Sequence, residues 1–206
     1  GGYYVVSLCT AHVYENGVCT ECGKLQETWL NIENGMTEAP EGYSIDRKTV
    51  TISTNYGLAW FAKQVNAGTS FAGHTVTLTN DIDLLDYPWT PINGFTGTFD
   101  GGNHTISNVY VNGSTTGNGY GLFGASTANY KNVRIHNVYV VGNAAIGALV
   151  GNIFTGTVDN VHVTGDIMIG INTQNGHIAN YNSAYAGGIV GSGYPKITNC
   201  SVKGNN

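Results

Sequence analysis

The amino-acid sequence predicts an all-β protein: a right-handed parallel β-helix, or solenoid, with an N-terminal capping helix and a small zinc-ribbon-like module. The first observation is a four-residue motif, which we call the phrase: Gly or Ala, two large apolar residues, and a closing Gly. It occurs at residues 121–124, 148–151 and 188–191. The second is an alternating strand that follows each phrase and contains Asn-Val or Asn-Cys. Repetition at a nearly fixed period is typical of solenoids, in which each repeat packs only on its neighbours.

The composition agrees with an extracellular β-protein and argues against some classes of binding partner. The chain has 206 residues, a net charge of -5, 30 Gly and 13 Tyr, and only 10% of its residues are charged. Its eight Lys and Arg are scattered, so no basic stripe for nucleic acid is predicted. No run of 18 apolar residues occurs, so no membrane insertion is predicted. The chain opens Gly1-Gly2-Tyr3 without Met, and we expect an export signal to have been removed from a secreted or cell-surface protein.

The acidic residues divide the chain into modules. All six Glu lie in residues 1–42 and all seven Asp lie in residues 43–206. Residues 33–42 are poor in large apolar side chains and contain Pro and Gly, as linkers do. The sequence therefore predicts a zinc-ribbon-like module at 1–26, a linker at 27–42 and the β-helix at 43–206.

The N-terminal module contains a candidate structural zinc site at Cys9, His12, Cys19 and Cys22. Zn²⁺ takes four tetrahedral N or S ligands, and an x2 spacing lets one turn aim two side chains at the metal. Asn-Gly at 16–17 favours a hairpin that brings the two pairs together, and Gly23 permits a positive φ after the last ligand. The alternative is a disulfide among the three cysteines, which export would permit.

The β-helix is predicted to open with a strand and a capping helix. Residues 48–54 alternate with Val50 and Ile52 on one face. Residues 58, 61, 62 and 65 then have the apolar spacing of a helix, which Asn55 begins and Gly68 ends. An amphipathic helix here would cover the open end of the core, and Trp60 would pack rather than bind.

Three aspartates follow the next predicted strand, at residues 75–79, and could form a Ca²⁺ site. Asp81, Asp83 and Asp86 fall within six residues, and Ca²⁺ takes six or more oxygen ligands from such loops. However, alternation places Asp81 and Asp83 opposite Ile82 and Leu84. The sequence therefore favours an outward polar edge over a Ca²⁺ site.

The chain resembles bacterial surface proteins that carry the GLUG motif. The resemblance covers roughly residues 43–204. It rests on Trp60-Phe61-Ala62 to Val65-Asn66, on Asp81-Ile82-Asp83-Leu84, on Trp89-Thr90-Pro91-Ile92, on Phe99-Asp100-Gly101 and on Ile106-Ser107-Asn108-Val109. It also rests on the three phrases, the second with Ala148 where the family prefers Gly. It implies a parallel β-helix of exported bacterial proteins, including adhesin stalks and the non-catalytic part of IgA-cleaving metallopeptidases. It implies no single activity.

The repeat also predicts side-chain positions. Leu122, Leu149 and Ile189 should form one inward column, and Val133, Val161 and Cys200 another. Cys200 is then a buried small apolar residue. The repeated Asn132, Asn160 and Asn199 should stack at one corner, as Asn ladders do.

The repeat pattern is interrupted at residues 166–186. Insertions of this kind in solenoids often build a binding face. The alternative is a surface excursion or an irregular extra repeat. The segment mixes amides with aromatic rings, a combination that suits neutral sugars. The candidate ligand-binding residues are His177, Asn180, Tyr181, Asn182 and Tyr185.

No catalytic constellation is recognisable. Glycoside hydrolysis needs two carboxyls about 5 to 10 Å apart, and the repeat register supports no such pair. A zinc protease motif is excluded because no Glu follows residue 41. The sequence therefore predicts a non-enzymatic adhesin-like scaffold or stalk that binds glycans or host matrix protein. The alternative is a polysaccharide-acting β-helix lyase or hydrolase, and a pure spacer is a third reading. Because the chain ends just after a strand, we expect the native protein to continue.

Overall fold

The computed structural model describes residues 14–15, 18–23, 26–113, 119–171 and 185–205. Strands account for most of the regular structure in these described residues, and the two helices are short, so the predicted all-β class is confirmed. The helices are α1 Trp29–Gly35 and α2 Asn55–Asn66. The strands are β1 Tyr14–Glu15, β2 Val18–Cys19, β3 Tyr43–Asp46, β4 Thr49–Ile52, β5 Thr75–Leu78, β6 Ile82–Asp83, β7 Thr98–Asp100, β8 Thr105–Asn112, β9 Phe123–Gly142, β10 Ala145–Gly147, β11 Val150–Ile171, β12 Tyr185–Gly187, β13 Val190–Gly193, β14 Lys196–Thr198 and β15 Ser201–Gly204.

The main sheet stacks successive repeats in parallel. β9 and β11 run side by side over nearly their whole length, with Val133 opposite Val161. β7 and β8 pair with the other side of β9, while β13, β14 and β15 pair with the other side of β11. Each repeat therefore takes its hydrogen bonds from the repeats before and after it.

The predicted inward columns form the core. Leu122 and Leu149 have no exposed surface, and Ile189 is 9% exposed. Val133 and Val161 are also fully buried, whereas Cys200 is half-buried against the core. Cys200 is a free thiol that contacts the Thr198 carbonyl at 3.0 Å. The columns are confirmed, and the thiol is less enclosed than predicted because it lies in the last repeat described.

The glycines that close the phrases are required by close backbone approach. None of them has a positive φ. A Cβ on Gly191 would lie 2.6 Å from the Gly151 carbonyl oxygen, and a Cβ on Gly151 would collide with the backbone around Tyr120. Contacts this short leave no room for a side chain, so the phrase marks where neighbouring repeats approach most closely.

Both helices pack on the first repeats. α2 buries Leu58 and Phe61 completely, and the Phe61 ring contacts those of Phe95 and Phe99 at 5.4 and 6.4 Å between centroids. The helix is confirmed, but its N-cap is Thr54, whose hydroxyl accepts from the Gly57 N–H at 3.0 Å. The predicted cap at Asn55 was wrong by one residue, because only Thr54 has the extended backbone of a cap.

α1 lies within the segment predicted as a linker. Its Trp29 is 1% exposed, donates from Nε1 to the Leu84 carbonyl at 3.0 Å and contacts the ring of Trp89 edge-on. Residues 27–42 therefore contain a helix that is docked on the sheet. The division of the chain at residue 42 stays a prediction. No helix among the described residues is long and apolar enough to cross a membrane.

Candidate functional site

Two of the four predicted zinc ligands lie in the described part of the chain. Tyr14 pairs with Cys19 in the predicted hairpin. The Gly23 N–H donates to the Cys19 carbonyl at 2.9 Å, and Gly23 has φ 72°. Cys19 and Cys22 thus lie in one tight turn closed by a positive-φ glycine, which fits half of a zinc knuckle. Cys9 and His12 lie outside the described residues.

Of the predicted glycan-binding residues, the structure describes Tyr185 alone. Its side chain is 53% exposed, and it pairs with Ala145 between β12 and β10. The first part of the predicted insertion is regular, because residues 167–171 pair with residues 138–142 in β9. The interruption was therefore placed too early. His177, Asn180, Tyr181 and Asn182 lie outside the described residues.

The aspartates considered for Ca²⁺ are used in hydrogen bonds. Asp81 accepts from the Thr105 N–H at 2.8 Å, and Asp83 accepts from the Leu85 N–H at 2.8 Å. The Thr105 bond, with His104 and Arg134 nearby, holds the pKa of Asp81 below its usual value. Ile82 and Leu84 are buried, so the predicted outward edge is confirmed. Among the described residues, no group of three or more His, Cys, Asp or Glu has metal-binding geometry.

Asparagine ladders form two corners of the stack. At the predicted corner, Asn160 donates to Asn132 at 2.9 Å, and Asn132, Asn160 and Asn199 all have φ of 53–54°. At a second corner, Asn137 donates to Asn108 at 3.3 Å, and both residues again have positive φ. Asn tolerates this conformation, and its amide bridges the repeats.

A groove crosses the stack at the second corner, and we call it the amide groove. Its volume is about 550 Å³. The two asparagines of the corner line it, and so do the carboxylates of Asp86 and Asp166. Tyr139 also lines it, and its ring stacks on that of Tyr110 at 4.9 Å between centroids. The lining residues used below are Asp86, Asn108, Asn137, Tyr139, Asp166, Met168 and Asn205.

The local chain explains why polar groups gather in this groove. In β11, Gly165 and Asp166 stand opposite the single residue Asn137, because the register shifts between Thr164 and Ile167. This bulge turns the Asp166 N–H toward the side-chain oxygen of Asn137, to which it donates a hydrogen bond of 3.0 Å. Tyr139 and Met168 follow as paired outward residues, 37% and 54% exposed. The groove therefore offers amides, a carboxylate and partly exposed apolar side chains.

The two carboxylates of the groove are badly placed for hydrolysis. Asp86 follows β6, and the order β6, β8, β9, β11 puts three strand spacings between it and Asp166. At about 4.8 Å per spacing, the backbones are about 14 Å apart, beyond the separation of catalytic pairs. Moreover, Asp166 accepts from Asn205 at 2.9 Å and so leans away from Asp86.

The remaining aspartates with shifted pKa values do not suit a general acid, which needs a raised pKa. For Asp159, hydrogen bonds from Thr198 and Asn199 lower the pKa. For Asp100, burial acts to raise the pKa, but hydrogen bonds, including those of Asn132 and Lys131, outweigh it and the pKa is lowered. Only Glu33 has a raised carboxyl pKa among the described residues, and it lines neither large groove.

Sequence reasoning missed the amide groove although a signal for it was present. Asn108-Val109 and Asn137-Val138 repeat the same dipeptide that marked the first corner. The second dipeptide lies five residues after Asn132, which is the length of one short strand between two corners. In the next repeat, Gly165 of the bulge stands where another Asn would continue this second series of asparagines. The series was therefore not recognised in the sequence.

Comparison with known proteins finds one repeat motif. Residues 142–168 match the GLUG motif, and this range contains the phrase at 148–151 and Asn160. The resemblance to proteins with this motif is therefore supported for the central repeat. Comparison with curated proteins and with solved structures gave no match.

Proposed function

We propose that this chain is a non-enzymatic bacterial surface protein, secreted or held at the cell surface. A right-handed parallel β-helix serves as an adhesin-like scaffold or stalk and presents the amide groove to an extracellular glycan or a host matrix protein. The parallel pairing of every repeat with the next supports the scaffold, and the GLUG motif supports the surface context.

The observation that carries the binding proposal is the composition of the amide groove. The carboxamides of Asn108 and Asn137 bond to each other, to Asp83 and to the Asp166 N–H, and beyond these bonds each has a second amide N–H and a second oxygen lone pair that a ligand can use. Tyr139 and Met168 add exposed apolar surface beside them. A sugar ring offers hydroxyls at its edge and C–H groups on its face, so alternating amide and apolar groups along a groove match it.

The test is a binding screen against neutral glycans and matrix proteins with tyrosine variants. Tyr139→Ala should weaken binding about tenfold, a loss typical of one aromatic contact with its hydrogen bonds. Tyr194→Ala is the matched control, because Tyr194 is 91% exposed and lies outside the groove. Equal binding by both variants would contradict this site.

The segment around Tyr185 remains a second candidate surface for the same function. Tyr181→Ala and Tyr185→Ala, tested with the same ligands, distinguish the two surfaces. Loss in these variants with full binding by Tyr139→Ala would place recognition at His177, Asn180, Tyr181, Asn182 and Tyr185 instead of the amide groove.

A polysaccharide-acting lyase or hydrolase is the second candidate function, because Asp86 and Asp166 line the same groove. Their separation by three strands argues against direct hydrolysis, as described above. Depolymerisation of a neutral or acidic polysaccharide that is lost in Asp166→Asn and kept in Asp159→Asn would favour the enzyme.

We also propose a structural Zn²⁺ held by Cys9, His12, Cys19 and Cys22. The tight turn from Cys19 to Gly23 supports it, and four protein ligands would leave no open position for catalysis. Metal content of the purified protein should be one zinc per chain and should fall in Cys22→Ser, whereas Cys200→Ser should keep it. A disulfide found between Cys19 and Cys9 or Cys22 would contradict the proposal.

A further inference from the structure

A second groove lies on the outer face next to the second corner, and we call it the histidine groove. Its volume is about 490 Å³. It lies across β8, β9 and β11, and the residue before β6 completes it. It is lined by Asp81, Thr105, Ser107, Arg134, His136, His162 and Thr164.

The register explains why these side chains share one face. Val133 and Ile135 are fully buried, so Arg134 and His136 between and after them point outward. Thr105 and His162 are the strand partners of Arg134 on either side. Two columns of outward side chains therefore run across the sheet: Thr105, Arg134, His162 and Ser201 in one, and Ser107, His136, Thr164 and Lys203 in the other.

Two donors in this groove point to a ligand. In the part of the chain that the structure describes, the Arg134 guanidinium makes no hydrogen bond or ion pair within the protein. The His136 ring is held through Nδ1 by Thr164 at 3.0 Å, which leaves Nε2 directed away from that bond. On one strand, side chains two residues apart lie about 6.7 Å from each other, so one oxyanion can lie between them.

His162 is fixed differently, through both of its ring nitrogens. Its Nε2 lies 2.9 Å from the Asn160 side-chain oxygen, and the Asn160 amide nitrogen already donates to Asn132. Nε2 must therefore carry the hydrogen. Nδ1 lies 2.8 Å from the Ser201 hydroxyl, which can donate to a neutral ring or accept from a protonated one. Both ring nitrogens of His162 are thus held by hydrogen bonds within the protein.

The charges around the groove favour an anion. The lining contains Arg134, His136 and His162 on the basic side and Asp81 on the acidic side. Next to these residues, His104 contacts Asp81, Lys203 is the strand partner of Thr164 and Asp83 is the strand partner of Ser107. Both carboxylates are engaged, Asp81 by the Thr105 N–H and His104 and Asp83 by Leu85 and Asn108. In a chain of net charge -5, this is a local concentration of positive and protonatable groups.

We propose that the histidine groove binds an anionic polysaccharide, with a sulfate or carboxylate held between Arg134 and His136 and sugar hydroxyls on Thr105, Ser107 and Thr164. Guanidinium binds such oxyanions with two parallel hydrogen bonds. The hydroxyl-rich lining matches the neutral part of a sugar. A nucleic acid fits less well, because the lining contains a single permanent cation whereas phosphate chains require several.

The test measures binding of heparin, polygalacturonate, dextran and a single-stranded DNA oligonucleotide to the full chain at pH 5.5 and 7.5. Heparin carries sulfate and polygalacturonate carries carboxylate alone, so the two arms identify the oxyanion. Imidazole takes up a proton between about pH 5 and 8, so we expect tighter binding of the anionic polysaccharide at pH 5.5. No binding of either polymer, equal binding of dextran, or tighter binding of the oligonucleotide would overturn the proposal.

Variants that remove a charge inside or outside the groove distinguish specific recognition from a general effect of the protein's charge. Arg134→Gln should weaken binding tenfold or more, since charge-assisted hydrogen bonds are lost. Lys196→Gln removes the same charge from β14, outside the groove, and should change binding less than twofold. His136→Gln keeps a donor but cannot be protonated, so it should reduce the gain in affinity between pH 7.5 and 5.5. Equal effects of Arg134→Gln and Lys196→Gln would overturn the site.

This site is independent of the amide groove. Tyr139→Ala should leave binding of the anionic polymer unchanged, and Arg134→Gln should leave binding of neutral glycans unchanged. The proposal for the histidine groove and the proposal for the amide groove can therefore be contradicted separately.

Discussion

The two ends of the main sheet differ in what covers them. At the first end, β3 pairs antiparallel with β4, and α2 buries Leu58 and Phe61 against the core. At the other end, β14 and β15 expose half of Ile197 and Val202, at 49% and 47%. The repeat supplies only stacking, and covering an end requires elements from outside the repeat.

The same residue types should therefore contribute different amounts of stability at the two ends. An apolar side chain stabilises a fold according to the surface that it removes from water. Ile52 in β4 is fully buried, whereas Ile197 in β14 is half exposed. Substitutions matched between the ends test whether this difference is real in solution.

The largest expected effect is on isoleucine truncation. Ile52→Ala should lower the free energy of unfolding by about 2 to 5 kcal/mol, because it leaves a cavity in a closed core. Ile197→Ala should lower it by less than about 1 kcal/mol, since much of the side chain is already in water. Urea denaturation of the two variants checks this. Equal losses would show that the second end is covered in solution.

The next effect concerns Glu33, which lies in α1 at the covered end. It is 3% exposed, and its Oε1 has no hydrogen-bond partner. Burial raises the pKa of this carboxyl to about 7 from 4.5, although the charge of Lys63 acts in the opposite direction. The folded state therefore holds the proton more tightly than the unfolded state.

The sign of the pH dependence follows from that difference. The contribution of Glu33 is fully present below pH 4.5 and is lost as pH rises toward 7, by about 3 kcal/mol at most. Glu33→Gln should remove this loss, so the variant should gain stability over the wild type between pH 5 and 8. Glu38→Gln, at an exposed position of the same segment, is the control and should keep the wild-type profile. Parallel profiles for Glu33→Gln and the wild type would contradict the prediction.

The smallest effect is expected in the asparagine ladder. Asn160→Ala should cost about 2 kcal/mol, from a non-glycine residue at φ 53° and from lost hydrogen bonds. Asn199→Ala should cost about 1 kcal/mol, because Asn199 is exposed and the structure gives its amide one bond, to Asp159. Asn160→Gly relieves the backbone cost and so isolates the hydrogen bonds. Thermal unfolding of the three variants would contradict the comparison if Asn199→Ala were the most destabilised.

Much of the stacking could be predicted from sequence because it is a local pattern repeated. The inward positions of Leu122 and Leu149 follow from alternation, and Asn132 and Asn160 occur at the same place in successive repeats. The helix at 55–66 was also predictable from its apolar spacing. The cap at Thr54 was missed because Thr and Asn compete as neighbours and only the backbone conformation decides between them.

Other features required the three-dimensional structure. Residues 27–42 looked like a linker because the few large apolar residues at 29–36 stand among polar ones and are followed by Pro and Gly. The partners of Trp29, which are Leu84 and Trp89, lie far away in sequence. The amide groove depends on a bulge at Gly165 and Asp166, which shifts the register in one repeat only.

The sequence by itself determined the repeat, the inward columns and the asparagine corners, because each of these recurs at a fixed position and is decided by neighbouring repeats. Only the tertiary structure decided which outward side chains share a groove. Arg134, His136 and His162 carry no motif along the chain, and parallel register brings them together at about 4.8 Å per strand. Stacking is encoded locally, whereas a surface across several repeats exists only once those repeats are aligned.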